Sequence, residues 1–455
     1  MGPHSYDIVI VGGGTAGAFA AATAADEGLR TVILERKSRE EAGDIACGDA
    51  IKGKQELPTV MDTDYVEAES FTNREIRRAI FENPADSSEL EVQFDKPGTV
   101  LDRRAFGTAL LEEASRAGAE IHYDTVVRDV VQSDGKIQGV TAVRDGSLVT
   151  YDASVTIDAA GALSILQDNA DFSASTFDTN VDYTQFCSAY REIVEVPDEI
   201  EWSDALVFKP TEELGYLWYF PRSSSEINAG LGFQMNKPPV QLVDALKRDL
   251  NSRPEFDDAV VTSKLGAALP TRRPYDSAVA PGYVAAGDAA GHVNPTTGGG
   301  IVTAAKSAVW CTRQAISALE DGTVSEANLW EYNRKVMTNF GARFAAADLY
   351  NIAGGALSVE ALSQIVAKIP GDNLVDVLGS GTSKMGLGTK AKLLFRTVGH
   401  WDTIFDLYRV QKKAAELREH YGEYPASPSG LEQWANRRDD ILADVYEITG
   451  AEPKY

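Results

Sequence analysis

The chain is poor in cysteine, histidine, basic residues and long apolar runs, and each shortage closes off a class of protein. Three cysteines, Cys47, Cys187 and Cys311, cannot by themselves build a disulfide framework, a four-cysteine iron–sulfur cluster or a structural zinc site. Five scattered histidines with no His-Glu-x-x-His pattern predict no metal centre. No apolar run reaches the ~18 residues of a membrane-crossing helix and no leader pattern opens the chain, so a cytoplasmic protein is expected. Lys and Arg number 43 against 68 Asp and Glu, a formal net charge of −25. The acids are spread along the whole chain and no basic patch stands out, which makes nucleic acid a poor partner. An even acidic spread with few lysines favours adaptation to high salt, where dense carboxylates hold water and screening quiets their repulsion. The rival is an acidic surface that merely repels anionic partners.

What is present is concentrated at the start. Tyr6 to Val11 reads as a buried strand, apolar, rich in β-branched residues and ended by glycines. Gly12, Gly14 and Gly17 fill the three glycine places of G-x-G-x-x-G. A helical pattern from Ala18 to Glu27 follows, with Gly28 as its stop, then a second strand, Thr31 to Leu34, ending in Glu35. Gly12 permits the tight turn, Gly14 lets backbone approach a pyrophosphate, and Gly17 allows close helix–strand packing. The helix N-terminus offers N–H groups to phosphate, and Glu35 stands where a carboxylate accepts ribose hydroxyls. This unit predicts a bound dinucleotide.

The 455 residues allow two or three domains. After a polar stretch comes Ile45-Ala46-Cys47-Gly48-Asp49-Ala50. An amphipathic helix is expected from Arg104 to Ala117, strands at Glu120 to Tyr123 and Val126 to Val131, and a buried strand entering glycine between 155 and 164. Residues 175 to 275 alternate as short strands with Pro, Gly and Ser turns, the pattern of an antiparallel sheet. Residues 282 to 301 return to strand, glycine loop and helix. Helical periodicity dominates from 340, including Leu374 to Gly379. The expected fold is α/β: a discontinuous Rossmann-like nucleotide domain (6–75, 100–170, 280–340), an inserted antiparallel β-sheet substrate domain (76–99, 171–279) and a helical C-terminal region (341–455).

Three segments beyond the glycine fingerprint resemble the FAD-dependent oxidoreductases of the aromatic-hydroxylase structural group. They are Asp102-Arg103-x-x-Phe106, then Asp158-Ala159-x-Gly161-x-x-Ser164, then Gly287-Asp288-Ala289-Ala290. Taken singly, Arg103 reads as a surface ion pair and Asp288 as a helix cap. Their order within one chain favours FAD over an exchanging NAD. The resemblance assigns Gly12, Gly14, Ala16, Gly17, Glu35, Arg36, Cys47, Gly48, Arg103, Val127, Asp288 and Ile301 to FAD. The backbone N–H groups of Gly298, Gly299 and Gly300 are expected at the flavin edge that gathers charge on reduction.

Cys47-Gly48-Asp49, Gly215-Tyr216-Leu217-Trp218-Tyr219-Phe220-Pro221 and Gly230-Leu231-Gly232 narrow the field. With them the chain resembles the geranylgeranyl reductase family over residues 6 to 340, except that Glu213 replaces the first proline of the family's P-x-x-Y-x-W-x-F-P. The family hydrogenates isoprenoid double bonds in archaeal lipid precursors, chlorophyll side chains or quinone tails. The resemblance implies an isoprenoid lipid or prenylquinone substrate and an electron donor left open among ferredoxin, reduced deazaflavin and NAD(P)H. It also implies peripheral contact at the inner face of the membrane.

Side chains two apart share a strand face, so Tyr216, Trp218 and Phe220 are expected to form a flat aromatic strip for a polyprenyl chain, and Pro221, which ends it, is expected to bind substrate with them. The bland reading is one side of a sheet core. Alkene reduction needs a hydride on one carbon and a proton on the other, and Cys47, within Cys47-Gly48-Asp49, is the candidate donor. Cys187 and Cys311 match no motif and read as structural. Phe340, Phe344, Leu349 and Ile352 suit either a lipid tunnel or a helix–helix core. A flavin monooxygenase or halogenase, and an electron-transfer flavoprotein:quinone-type oxidoreductase, are the competing functions.

Overall fold

The computed structural model describes residues 4–84, 88–211, 215–235, 238–357 and 401–455, with side chains of the last stretch from 405 onward. Glu213 and the helix expected at Leu374 to Gly379 lie outside the described residues. The described chain forms two eight-stranded sheets and a set of helices.

The first sheet is built on β1 (Ser5–Val11), whose β-branched residues leave both faces buried. A turn at Gly12 leads into α1 (Thr15–Asp26), buried along nearly its whole length. Its run of alanines lets α1 lie close to the sheet and to two neighbouring helices. β2 (Thr31–Leu34) pairs parallel to β1. A two-residue strand, β3 (Ala50–Ile51), and helix α2 (Thr63–Ser70) precede β4 (Phe71–Glu82) and β5 (Glu89–Leu101). Asp102 caps α3 (Arg103–Arg116) by accepting from the N–H groups of Arg104 and Ala105. β6 (Glu120–His122), β7 (Val126–Ser133), β8 (Lys136–Arg144) and β9 (Ser147–Asp158) follow, then the short helix α4 (Ile165–Asn169).

The next strands are β10 (Phe186–Glu195), β11 (Ala205–Thr211), β12 (Gly215–Pro221) and β13 (Glu226–Gln234), then α5 (Val240–Leu250) and β14 (Val260–Pro270). Two short strands, β15 (Val279–Ala280) and β16 (Tyr283–Ala285), return the chain to the first sheet. That sheet runs β15-β16-β9-β1-β2-β6, with β7 and β8 attached through β9. The second runs β14-β10-β13-β12-β11-β4-β5-β3. It is antiparallel except where β11 meets β4. One boundary differs from the sequence reading: β3 and the start of β4 belong to the second sheet, because Ala50 and Phe71 pair with β5.

α6 (Ile301–Glu320) packs on α1, and α7 (Glu326–Val336) continues through a π-helical turn, Met337–Gly341, into α8 (Ala342–Gly355). Helices α9 (Trp401–Gly422) and α10 (Leu431–Thr449) pack against α8. Phe340, Phe344, Leu349 and Ile352 are all buried in the main core, as the helix–helix reading expects, and Phe340 and Phe344 also border the cavity described next.

Register explains how distant motifs meet. Val11 lies opposite Asp158, and Asp158 opposite Ala285, on three adjacent parallel strands. The loops that follow, at Gly12, Ala159 and Gly287, therefore leave the sheet at one level. This is the crevice beyond the carboxyl ends of parallel strands where such sheets bind nucleotides.

Candidate active site

A cavity of about 2830 Å³ runs from the glycine turn to the inner face of the second sheet. Its nucleotide end tests the glycine roles directly. Gly12 has φ +100°, and a Cβ there would lie 2.4 Å from the Ala159 carbonyl oxygen. A Cβ on Gly17 would lie 1.9 Å from the Gly12 oxygen, so Gly17 serves packing and does not reach the cavity wall. Gly14 has nothing nearer than Ile45 Cδ1 at 3.8 Å and does line the cavity. Space for a phosphate lies where the motif requires it.

Glu35 is buried off the wall, with one oxygen accepting from Gly13 N (2.7 Å) and the other from Lys37 N (2.8 Å). Each oxygen keeps a second lone pair for a ribose hydroxyl. Arg103 is 3% exposed; Nη2 donates to Thr15 Oγ1 (2.9 Å) and Nη1 has no partner. A buried orphan donor in a cradle bounded by Gly14 and the first turn of α6 fits the phosphates of FAD. Asp288 is pushed up to about 6 by burial, against the pull of Arg103. Ala16, Arg36, Val127, Gly299, Gly300 and Ile301 also line the cavity. Gly298 lines it too, yet its N–H is spent on the Asn294 carbonyl (2.9 Å), so the expectation of a free donor there fails. The N–H of Ile301, at the start of α6, has no acceptor within the helix.

At the far end, Tyr216, Trp218 and Phe220 line the cavity from β12, while Leu217 and Tyr219 point into the core on the other face with α5. The strip is not flat: adjacent rings meet at 61° and 35°. Pro221 is corrected. Strand alternation turns it away from the cavity, where its carbonyl accepts from Asn73 Nδ2 (3.0 Å). The glycines of β13 explain how the rings lie down. Gly230 pairs with Trp218 and Gly232 with Tyr216, and a Cβ on Gly230 would be 2.3 Å from Trp218 Cζ2.

The Cys47 turn is clamped onto this strip by residues the sequence reading missed. Asn228 Nδ2 donates to the Cys47 carbonyl (2.8 Å) and to Asp49 Oδ2 (2.6 Å), while its Oδ1 accepts from Trp218 Nε1 (2.9 Å). An indole N–H can only donate, which fixes the amide's orientation. Arg222 donates to Asp49 Oδ2 from Nη2 (2.7 Å) and Nε (3.1 Å). Asp49 is fully buried with φ 69°, and its N–H donates to Cys47 Sγ (3.2 Å). A Cβ on Gly48 would lie 3.0 Å from the Phe220 ring, so this turn and the aromatic wall touch. Burial and then the Asp49 charge push the Cys47 thiol up to about 11. Asp49 is itself pushed up by burial, opposed by Arg222. The available signals were a polar Asn inside the apolar β13 and an Arg directly after the aromatic strand.

Crevice, cradle and cavity define an FAD-dependent oxidoreductase, and the FAD dependent oxidoreductase family model matches residues 7–211. The digeranylgeranylglycerophospholipid reductase of Sulfolobus acidocaldarius is 28% identical over 96% of this chain and 98% of its own length. That of Methanosphaerula palustris is 30% identical, over 72% of this chain and 81% of the relative. The chain belongs to the digeranylgeranylglycerophospholipid reductase family. A solved geranylgeranyl bacteriochlorophyll reductase-like protein from Thermoplasma acidophilum shares the fold, with TM-score 0.72, 21% identity, and 90% and 99% coverage of the two chains. A myxobacterial chondrochloren halogenase shares it at TM-score 0.62, 17% identity, and 86% and 97% coverage.

Proposed function

We propose that the protein hydrogenates isoprenoid C=C bonds of a geranylgeranylated glycerophospholipid, with Cys47 supplying the proton. The observation that carries this reading is the thiol turn docked on the Tyr216–Trp218–Phe220 wall, inside the cavity that begins at the dinucleotide cradle. Reduced FAD, when bound, supplies the hydride.

The chain's own residues do the rest. The aromatic wall orients an apolar chain and keeps water from the reacting bond. A thiol held near pKa 11 stays protonated at neutral pH, as a donor must be when cationic character develops on the neighbouring carbon. Asp49, Gly48 and Asn228 hold that thiol against the wall. Gly12, Gly14, Arg103, Asp288 and Ile301 would hold the cofactor, with Glu35 on its ribose and Arg36 and Val127 beside it.

Among the described residues no helix is long and apolar enough to cross a membrane. A lipid substrate supports peripheral contact from the cytoplasmic side; the electron donor is a ferredoxin, a reduced deazaflavin or NAD(P)H. The test is to incubate dithionite-reduced protein with digeranylgeranylglycerophospholipid and, separately, with menaquinone, and to follow mass gain of one H2 per saturated bond. Gain on the phospholipid is expected. Peroxide formation on NAD(P)H with neither substrate gaining hydrogen would move the assignment to a monooxygenase or halogenase. Quinone reduction without tail saturation would move it to a quinone oxidoreductase.

A further inference from the structure

Six arginines are buried among the described residues: Arg103, Arg191, Arg222, Arg272, Arg273 and Arg438. Four pair with carboxylates, Arg222 with Asp49, Arg272 with Asp178, Arg273 with Asp276, and Arg438 with Asp439. None of these four lines the cavity. The two that do line it, Arg103 and Arg191, have no carboxylate partner. A buried guanidinium without a counter-charge is costly to fold around, so an unpaired one aimed into a cavity marks a place where an anion binds. Arg103 lies in the cradle that would hold the phosphates of FAD. Arg191 lies elsewhere, on the second sheet.

Arg191 is 3% exposed; Nη1 donates to Ser263 Oγ (2.8 Å), and Nε has no partner. Of the carboxylates that act on it, Asp49 is committed to Arg222 and Asn228, and Asp44 faces Arg104. Its position follows from register. Arg191 pairs with Gly230 on β13, and Gly230 pairs with Trp218 on β12. All three belong to one row across the sheet, and the bare Gly230 lets the indole lie down over the floor on the side towards Arg191. Two strand spacings separate the Arg191 and Trp218 backbones, about 10 Å. That span matches the few bonds between a glycerol-borne phosphate and the first double bond of an ether-linked isoprenoid chain. Ala189, Leu265 and Ala267 lie beside Arg191 on the same wall.

We infer that Arg191 binds the phosphate of the lipid headgroup, seating the double bond nearest that headgroup over Trp218 and beside Cys47. The inference rests on the isoprenoid-lipid reading of the cavity. It adds a recognition element for charge to a wall that otherwise selects only for apolar length. Arg suits the task because its planar fork meets phosphate through two parallel N–H donors.

The test measures binding separately from turnover. On FAD-loaded protein, dissociation constants are determined for digeranylgeranylglyceryl phosphate and for digeranylgeranylglycerol, with wild type, Arg191→Met and Arg191→Lys. Wild type should prefer the phosphate by about 10- to 100-fold. Arg191→Met should erase that preference while leaving digeranylgeranylglycerol affinity and FAD content unchanged, and Arg191→Lys should keep part of it. A wild type without preference, an Arg191→Met protein that retains it, or loss of FAD from both variants would overturn the inference. Should Arg191→Met fail to fold, full wild-type preference in Arg191→Lys would also overturn it, since a point charge cannot reproduce the fork. Inorganic phosphate at equal concentration should compete weakly, because it brings no chain to the aromatic wall. Equal competition would make this a site for free phosphate and refute the lipid assignment. If the binding results hold while no substrate gains hydrogen, the reductase reading fails and the anion site stands.

Discussion

Asn228→Ala should both destabilise the protein and uncouple its reactive thiol. The substitution removes three buried hydrogen bonds: to the Cys47 carbonyl, from the Trp218 indole, and to the Asp49 carboxylate. At about 1 kcal/mol for each neutral bond and about 2 kcal/mol for the bond to a charge, the loss is about 4 kcal/mol. Asn228 is fully buried, so water cannot readily replace the amide. Stability of 5–15 kcal/mol, approximately, is usual for a folded protein, so the variant should fold with a much lower urea midpoint. Iodoacetamide should then alkylate Cys47 faster, because the turn loses one of its anchors. Cys47→Ala in the same background should abolish that extra labelling. A urea midpoint within error of wild type, with unchanged Cys47 labelling, would refute the clamp.

Cys47→Ala alone should keep its FAD, read by absorbance, and lose alkene reduction by about 10²- to 10⁴-fold, the usual share of a positioned proton donor; unchanged turnover would end its role. The thiol's pKa of about 11 is above the ordinary value of 9.0, so the donor form persists as pH rises. Single-turnover rates should therefore hold through pH 9 and fall only towards 11, and a decline centred near 9 would contradict the burial argument. Gly230→Ala puts a methyl into the Trp218 ring and should cost about 1–3 kcal/mol by overpacking, with a raised KM for the lipid. The excess of acids predicts a melting temperature that rises from dilute buffer to molar KCl; no change would sink the high-salt reading.

Local signals carried most of the nucleotide half. Gly12, Gly14 and Gly17 are legible because each answers a backbone demand within a few residues, and β1, α1 and β2 begin and end within a few residues of their expected bounds. The aromatic strand was legible through its period of two. Pro221 is contiguous with the strip in sequence, yet the same alternation turns it to the other face. Arg191, Arg222 and Asn228 were not legible as site residues because their roles depend on cross-strand register. Arg222 lies 173 residues from the carboxylate it holds. The donor expected from Gly298 failed for a similar reason, since its turn closes on Asn294 and consumes the N–H.

The Asn228 clamp also orders events in time. It joins groups 181 residues apart, across a turn from the nucleotide-binding half and a strand of the inserted sheet. Contacts so distant in sequence close large loops and form late in folding. The glycine turn is local to β1, α1 and β2, within the first 35 residues, but Arg103, Asp288 and Ile301 reach the same cradle from much later in the chain. Cradle and clamp alike are therefore completed only when segments far apart in the chain have met. Reactivity arrives only with the finished fold.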